Sequence, residues 1–162
     1  MFEPYLGGPQ VFKVGGFYLQ AFELEHDGCD NRGVYIMTPS GEKIVYATDF
    51  EFIRHRFTKL GINHFILECN HMDEVDPEEN DGKFAHVLRG HSSLTTVCEF
   101  LRVNKTENLR TVMLCHLSAE NSDPKEMVYR VKDMVGENVD VWIADKGLGV
   151  MLSTEQNEGN VG

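Results

Sequence analysis

Three polar side chains stand where apolar runs end. His26 closes "FELEH", Asp49 closes "KIVYATD" and His116 closes "TVMLCH". Imidazole and carboxylate are the groups that hold zinc and other divalent ions, and an ion held by them polarises a phosphoryl or carbonyl oxygen and acidifies water. Each residue alone also has an ordinary structural role open to it. A strand-end histidine is commonly a turn or surface residue. In "ATDFEFIRHRF", Asp49 is placed to cap a helix from about Glu51 to Leu60. What points to chemistry is the combination of the three.

Such groups must be carried by rigid elements, and the pattern of the chain supplies them. In the first half, "QVFKVG", "GFYLQAFELEH", "GVYIMT" and "KIVYAT" are rich in β-branched and aromatic residues, and "GG", "DGCDNRG" and "PSGE" separate them. This predicts an antiparallel meander. In the second half, "HFILEC", "TVMLC" and "VDVWIA" are continuous apolar runs suited to strands buried on both faces, with helices between them. Leu94, Val97, Cys98 and Leu101 follow helical spacing behind capping serines. Asp123 caps a second helix that has Pro124 at its first position and Met127, Val128, Val131, Met134 and Val135 on one stripe up to Gly136. The expected class is layered α/β, with "DKGLGVML" as a last hairpin strand. One domain over residues 1–152 is expected, followed by a polar tail over 153–162.

Composition narrows the field. With 162 residues, 41% of them hydrophobic and 25% charged, the chain can bury a single core. No run of eighteen apolar residues occurs, and "MFEPYLGGPQ" lacks the basic flank and apolar stretch of a secretory signal. A cytoplasmic location is therefore expected, with no membrane partner. Cys29, Cys69, Cys98 and Cys115 form no CxxC pair, so a disulfide framework is not expected. The net charge of −11 argues against a broad cationic surface for nucleic acid, leaving local basic residues or a bound cation to manage phosphate.

The ordered pieces "EHDGCDNRGVYI", "KIVYATD", "ILECNH", "GHSSLTTVCEFL", "VMLCHLSAEN" and "VDVWIADKGLGVML" resemble the metallo-β-lactamase fold hydrolases, in particular the branch of tRNase Z and the YycJ-like exonucleases. The resemblance spans roughly residues 17 to 152. It implies an αββα sandwich and two divalent ions, zinc or manganese: His26 would ligate one, His116 the other, and Asp49 would bridge them. It also implies that His91 of "GHSS" donates a proton to the leaving oxygen of a phosphodiester, although a solvated residue ahead of a helix cap would look the same. Glu68 and His71 match an ExNH element and would orient ligands from behind, or else form part of a solvated loop. His55, His64 and His86 match nothing.

One element of the resemblance is absent. HxHxDH should precede the first matching piece, and residues 1 to 16 contain no histidine. Each ion then keeps two protein ligands, His26 with Asp49 and Asp49 with His116, where a catalytic zinc ordinarily has three and a water. Three explanations follow: the carboxyl-terminal two thirds of a longer or split enzyme, a site completed by a partner chain, or a noncatalytic relative serving as a binding or assembly module. The first sheet of the sandwich would also be missing, so an apolar face should drive self-association or pairing with a complementing chain. The expected reaction is metal-dependent hydrolysis of a phosphodiester, with nucleic acid as one such substrate met by Arg54, Arg56, Lys59 and Arg89. A thioester or lactam is the alternative substrate class.

Overall fold

Among the described residues, seven strands form one sheet whose spatial order is their order in the chain. They are β1 (Val11–Val14), β2 (Phe17–His26), β3 (Cys29–Met37), β4 (Lys43–Ala47), β5 (His64–Glu68), β6 (Thr111–Cys115) and β7 (Asp140–Ile143). Strands β1 to β4 pair antiparallel, and β4 to β7 pair parallel. The computed structural model describes residues 11–73 and 90–152. The tail over 153–162, His86 and Arg89 lie outside the described residues.

The meander follows the sequence pattern with one difference. Of "DGCDNRG" only Asp27 and Gly28 make the turn, both at positive φ (43° and 73°), the geometry an Asp-Gly pair adopts in a tight hairpin. The strand resumes at once, so β2 and β3 pair out to His26 opposite Cys29. Gly33 sits inside β3 because the Phe22 ring lies directly over it; a β-carbon there would collide with that ring.

Helix α1 (Leu94–Asn104) connects β5 to β6, and α2 (Pro124–Val135) connects β6 to β7. Ser93 caps α1 by accepting from the Thr96 N–H at 3.2 Å. Asp123 caps α2 by accepting from the N–H groups of Lys125 and Glu126 at 3.0 and 3.1 Å. Both crossovers step the same way along the sheet, and right-handed connections then bring both helices to one face. On that face Phe22, Tyr35, Val45, Phe65, Leu67, Val112 and Leu114 are buried, and Phe100 of α1 meets Phe65 edge to face at 5.4 Å.

The opposite face carries Leu19, Ala21, Val34, Ile36, Ile44, Ile66 and Met113, all partly exposed. Tyr46 and Trp142, on the same face, are 42% and 40% exposed. Burying a set of this kind is what drives sheets to stack.

Two expectations do not hold. No helix forms from Glu51 to Leu60: the chain is irregular apart from a 3-10 turn at Thr58–Leu60, and it ends in Gly61 at φ 61°. Burial decides this, since Phe50, Phe57 and Ile62 are all about fully buried and Phe52 is tied to β2 by a bridge to Glu25. A helix would turn some of these rings to solvent. The "DKGLGVML" segment forms no strand either; it turns at Asp145–Leu148, with Leu148 and Met151 exposed.

Candidate metal centre

Strands β2, β4, β5 and β6 all run the same way, so their carboxyl ends share one rim of the sheet. His26 ends β2 and Glu68 ends β5, while Asp49 follows β4 and His116 follows β6. Asp49 and His116 both take the left-handed conformation, each at φ 55°. This turns their side chains off the strand line at a modest backbone cost. For Asp49 it replaces the capping role expected of it, since no helix follows.

Glu68 organises the rim. It is fully buried, and both of its oxygens are engaged. Oε1 accepts from His91 Nδ1 at 2.7 Å and from the Ser92 N–H at 3.3 Å. Oε2 accepts from the Asp49 N–H and from His116 Nδ1 at 3.2 Å. Asp49 Oδ1 lies 3.7 Å from His116 Nδ1. Donor atoms of Asp49, Glu68, His91 and His116 all lie within 4.8 Å of one another.

The histidines share a pattern. A carbonyl or carboxylate oxygen can only accept, so a ring nitrogen bonded to one must carry the proton. His26 Nδ1 donates to the Gly90 carbonyl at 2.5 Å, and Nδ1 of both His91 and His116 faces Glu68. In the neutral ring each therefore offers its Nε2 lone pair, the arrangement in which a carboxylate or carbonyl behind a histidine fixes the tautomer of a metal ligand. The His91 ring stands 5.2 Å from those of both His26 and His116, so the three imidazoles form a row. His26 is thus joined to the cluster through His91 and is not among the four clustered donors.

Backbone bonds fix the loops. Asn70 donates from Nδ2 to the His116 carbonyl at 2.9 Å, donates its N–H to Ser92 at 2.9 Å and accepts from the Ser118 N–H at 2.8 Å. It thereby ties the loop of His91 to that of His116. Asn31 Nδ2 donates to the carbonyls of Thr48 and Asp49, steadying the turn that carries the aspartate. Burial pushes the Cys115 thiol up to about 12, so it stays protonated at neutral pH beside the cluster.

His71 is placed differently from the others. It is buried, its Nδ1 donates to the Met72 carbonyl at 2.8 Å, and its Nε2 has no partner. It stands outside the four-donor cluster. His55 packs edge-on against Phe22, and His64 pairs with Glu42 at 2.7 Å at the far end of β5. Sequence reasoning missed Asn70, Asn31 and Gly90. It also put Glu68 behind the site without revealing that one carboxylate serves two histidines. The only local sign was the adjacency of Glu68, Asn70 and His71 immediately after a buried strand.

No protein-family model matches the chain, and neither does any curated protein. Solved structures do. A diphosphatase from the PhnP family aligns at a TM-score of 0.58 and 14% identity, over 90% of this chain and 48% of that one. Unliganded yeast PDE1 aligns at 0.58 and 16%, over 86% and 47%. Zn2+-bound PqqB from Methylobacterium extorquens aligns at 0.58 and 13%, over 86% and 52%. The chain thus spans about half the length of the structures it resembles. The fold is metallo-β-lactamase-like α/β, present here as one helix-backed sheet. Among the described residues no helix is long and apolar enough to cross a membrane.

Proposed function

We propose that this chain is the carboxyl-terminal part of a cytoplasmic, metal-dependent phosphodiesterase of the tRNase Z and YycJ-like kind, the remainder being supplied by a preceding segment or a partner chain. The observation that carries the reading is the shared use of Glu68 by His91 and His116, with Asp49 3.7 Å from His116. A fully buried carboxylate behind two partly exposed imidazoles turns both lone pairs outward, which a structural ion pair would not need. Likeness to a diphosphatase and to a zinc-bound protein agrees with it.

The donor set suits a divalent ion of zinc or manganese type, being imidazole and carboxylate with no ionised thiol. His26 would hold one ion, His116 a second, and Asp49 would bridge them. Such ions supply positive charge for a phosphoryl oxygen and acidify water.

The remaining work falls to the chain. His91, with Nδ1 donating to Glu68, presents Nε2 to the site; in its protonated form Nε2–H passes a proton to the departing alkoxide, while Glu68 steadies the imidazolium. Asn70 keeps His91 and His116 in register.

The half-exposed apolar face and the half-length alignment support a missing cover, from a second copy or from a complementing chain. A second reading, a binding or assembly module without chemistry, is favoured by the shortage of protein ligands among the described residues. Metal analysis separates the two. The enzyme reading expects zinc to raise the melting temperature, and expects cleavage of bis-p-nitrophenyl phosphate that Asp49→Ala abolishes. Purified protein holding under about a tenth of an equivalent of metal, with no thermal response to zinc, would rule it out.

A further inference from the structure

A groove of about 270 Å3 runs between residues 52–56 and helix α1. Phe52, Arg54 and Arg56 form one wall, and Thr96, Glu99 and Val103 the other. Both walls begin at the rim. Glu25, the residue before His26, donates its N–H to the Phe52 carbonyl at 3.5 Å and accepts from the Glu51 N–H at 2.7 Å, seating the first wall beside β2. The second wall starts at Thr96, in the first turn of the helix that Ser93 caps, and His91 lies just before that cap. The groove therefore starts beside the end of β2 and the first turn of α1 and runs along that helix.

Its chemistry is particular. Phe52 is 37% exposed, and the Arg54 guanidinium lies 5.1 Å over its ring, anchored through Nε to Glu25 at 2.7 Å. A guanidinium over an aromatic ring makes a flat platform on which a base stacks without regard to its sequence. Arg56 is exposed four residues along the same wall, and Glu99 on the opposite wall confines anions to the arginine side. The volume falls just below the range of about 300–1,000 Å3 for sites enclosing a drug-sized molecule, the scale of one nucleotide and too small for a duplex.

We propose that this groove is a single-nucleotide subsite, with the base on Phe52 and Arg54 and the phosphate on Arg56. It rests on the phosphodiesterase reading and specifies the substrate class as single-stranded nucleic acid, held beside the cluster by one flanking nucleotide. In a chain of net charge −11 this local cationic, aromatic wall supplies the attraction that the overall surface lacks.

Binding here needs no metal, so it is tested with EDTA present, where failure of the metal reading has no influence. The full chain, labelled with 15N, is titrated with 5′-CMP and separately with inorganic phosphate. The expected result is perturbation of Phe52, Arg54, Thr96 and Glu99 amides by 5′-CMP. Phe52→Leu, which keeps apolar bulk but removes the ring, should weaken it about tenfold, the scale of a lost base stack. Arg56→Gln, at an exposed site, should weaken it several-fold and flatten the salt dependence. Equal perturbation by inorganic phosphate, unchanged binding in Phe52→Leu, or shifts confined to other surfaces would each overturn the proposal.

Discussion

Replacing Glu68 with glutamine tests the organisation of the rim most directly. The carboxylate accepts from four donors: His91 Nδ1 and the Ser92 N–H on one oxygen, the Asp49 N–H and His116 Nδ1 on the other. An amide keeps only one acceptor atom. Whichever way it turns, its NH2 must face two donors, either those of His91 and Ser92 or those of Asp49 and His116. Leaving a buried donor unsatisfied costs about 1–3 kcal/mol, which for two gives about 2–6 kcal/mol. Removing a buried charge returns part of this, so a net loss of about 2 kcal/mol is expected. Urea unfolding should show it as a lower midpoint at unchanged slope. Zinc affinity, read by calorimetry, should fall about 10- to 100-fold as the two imidazoles lose their common acceptor. Glu68→Asp should fail in the same way, because a shorter side chain cannot reach both sides. If Glu68→Gln kept both its midpoint and its zinc affinity within twofold, Glu68 would not be organising the histidines, and the reasoning from it would be refuted.

Other expectations follow from single contacts. In Gly90→Ala the new β-carbon would lie 3.1 Å from His26 Cε1, so the ring must shift; zinc binding should weaken while the melting temperature changes little. Asn70→Asp exchanges the donor to the His116 carbonyl for a charge, beside an Oδ1 that already lacks a partner. It should cost about 2–3 kcal/mol in urea unfolding and move the His116 ring signals in 15N NMR. His64 is held below the usual histidine range chiefly by burial, with Arg110 adding to this and Glu42 opposing it. The unfolded chain therefore binds the extra proton first as acidity rises. Stability should be fully present above about pH 6.5 and decline as the pH falls toward 5, and His64→Gln should flatten that slope.

Much of the scaffold was legible because its signals are local. The Asp27-Gly28 pair, the capping Ser93 and Asp123, and the spacing of Leu94, Val97 and Leu101 each act within a few residues. The chain between β4 and β5 was not legible. "DFEFIRHRF" has helix-compatible spacing, but burial of Phe50, Phe57 and Ile62 against the sheet overrides it. The last segment reads as a strand by composition, yet the hydrogen bond of Ala144 to Leu114 is followed by a turn. At the rim, His26, Asp49 and His116 stood out as donors at strand ends. The bonds that arrange them join residues such as Glu68 with His116 and Asn70 with Ser118, brought together only once β5 and β6 lie side by side. No periodicity in a single sequence encodes such a bond.

The sheet is laid down in chain order, each strand beside the one made just before it. On a ribosome, then, no strand waits for a later one: every new strand finds its neighbour already synthesised, and the loops to be closed stay short for the first four. Such growth has no built-in stopping point. Among the described residues strand β7, with Trp142 outward, is the outermost strand on that side, and a strand that joins such an edge decides between productive assembly and aggregation.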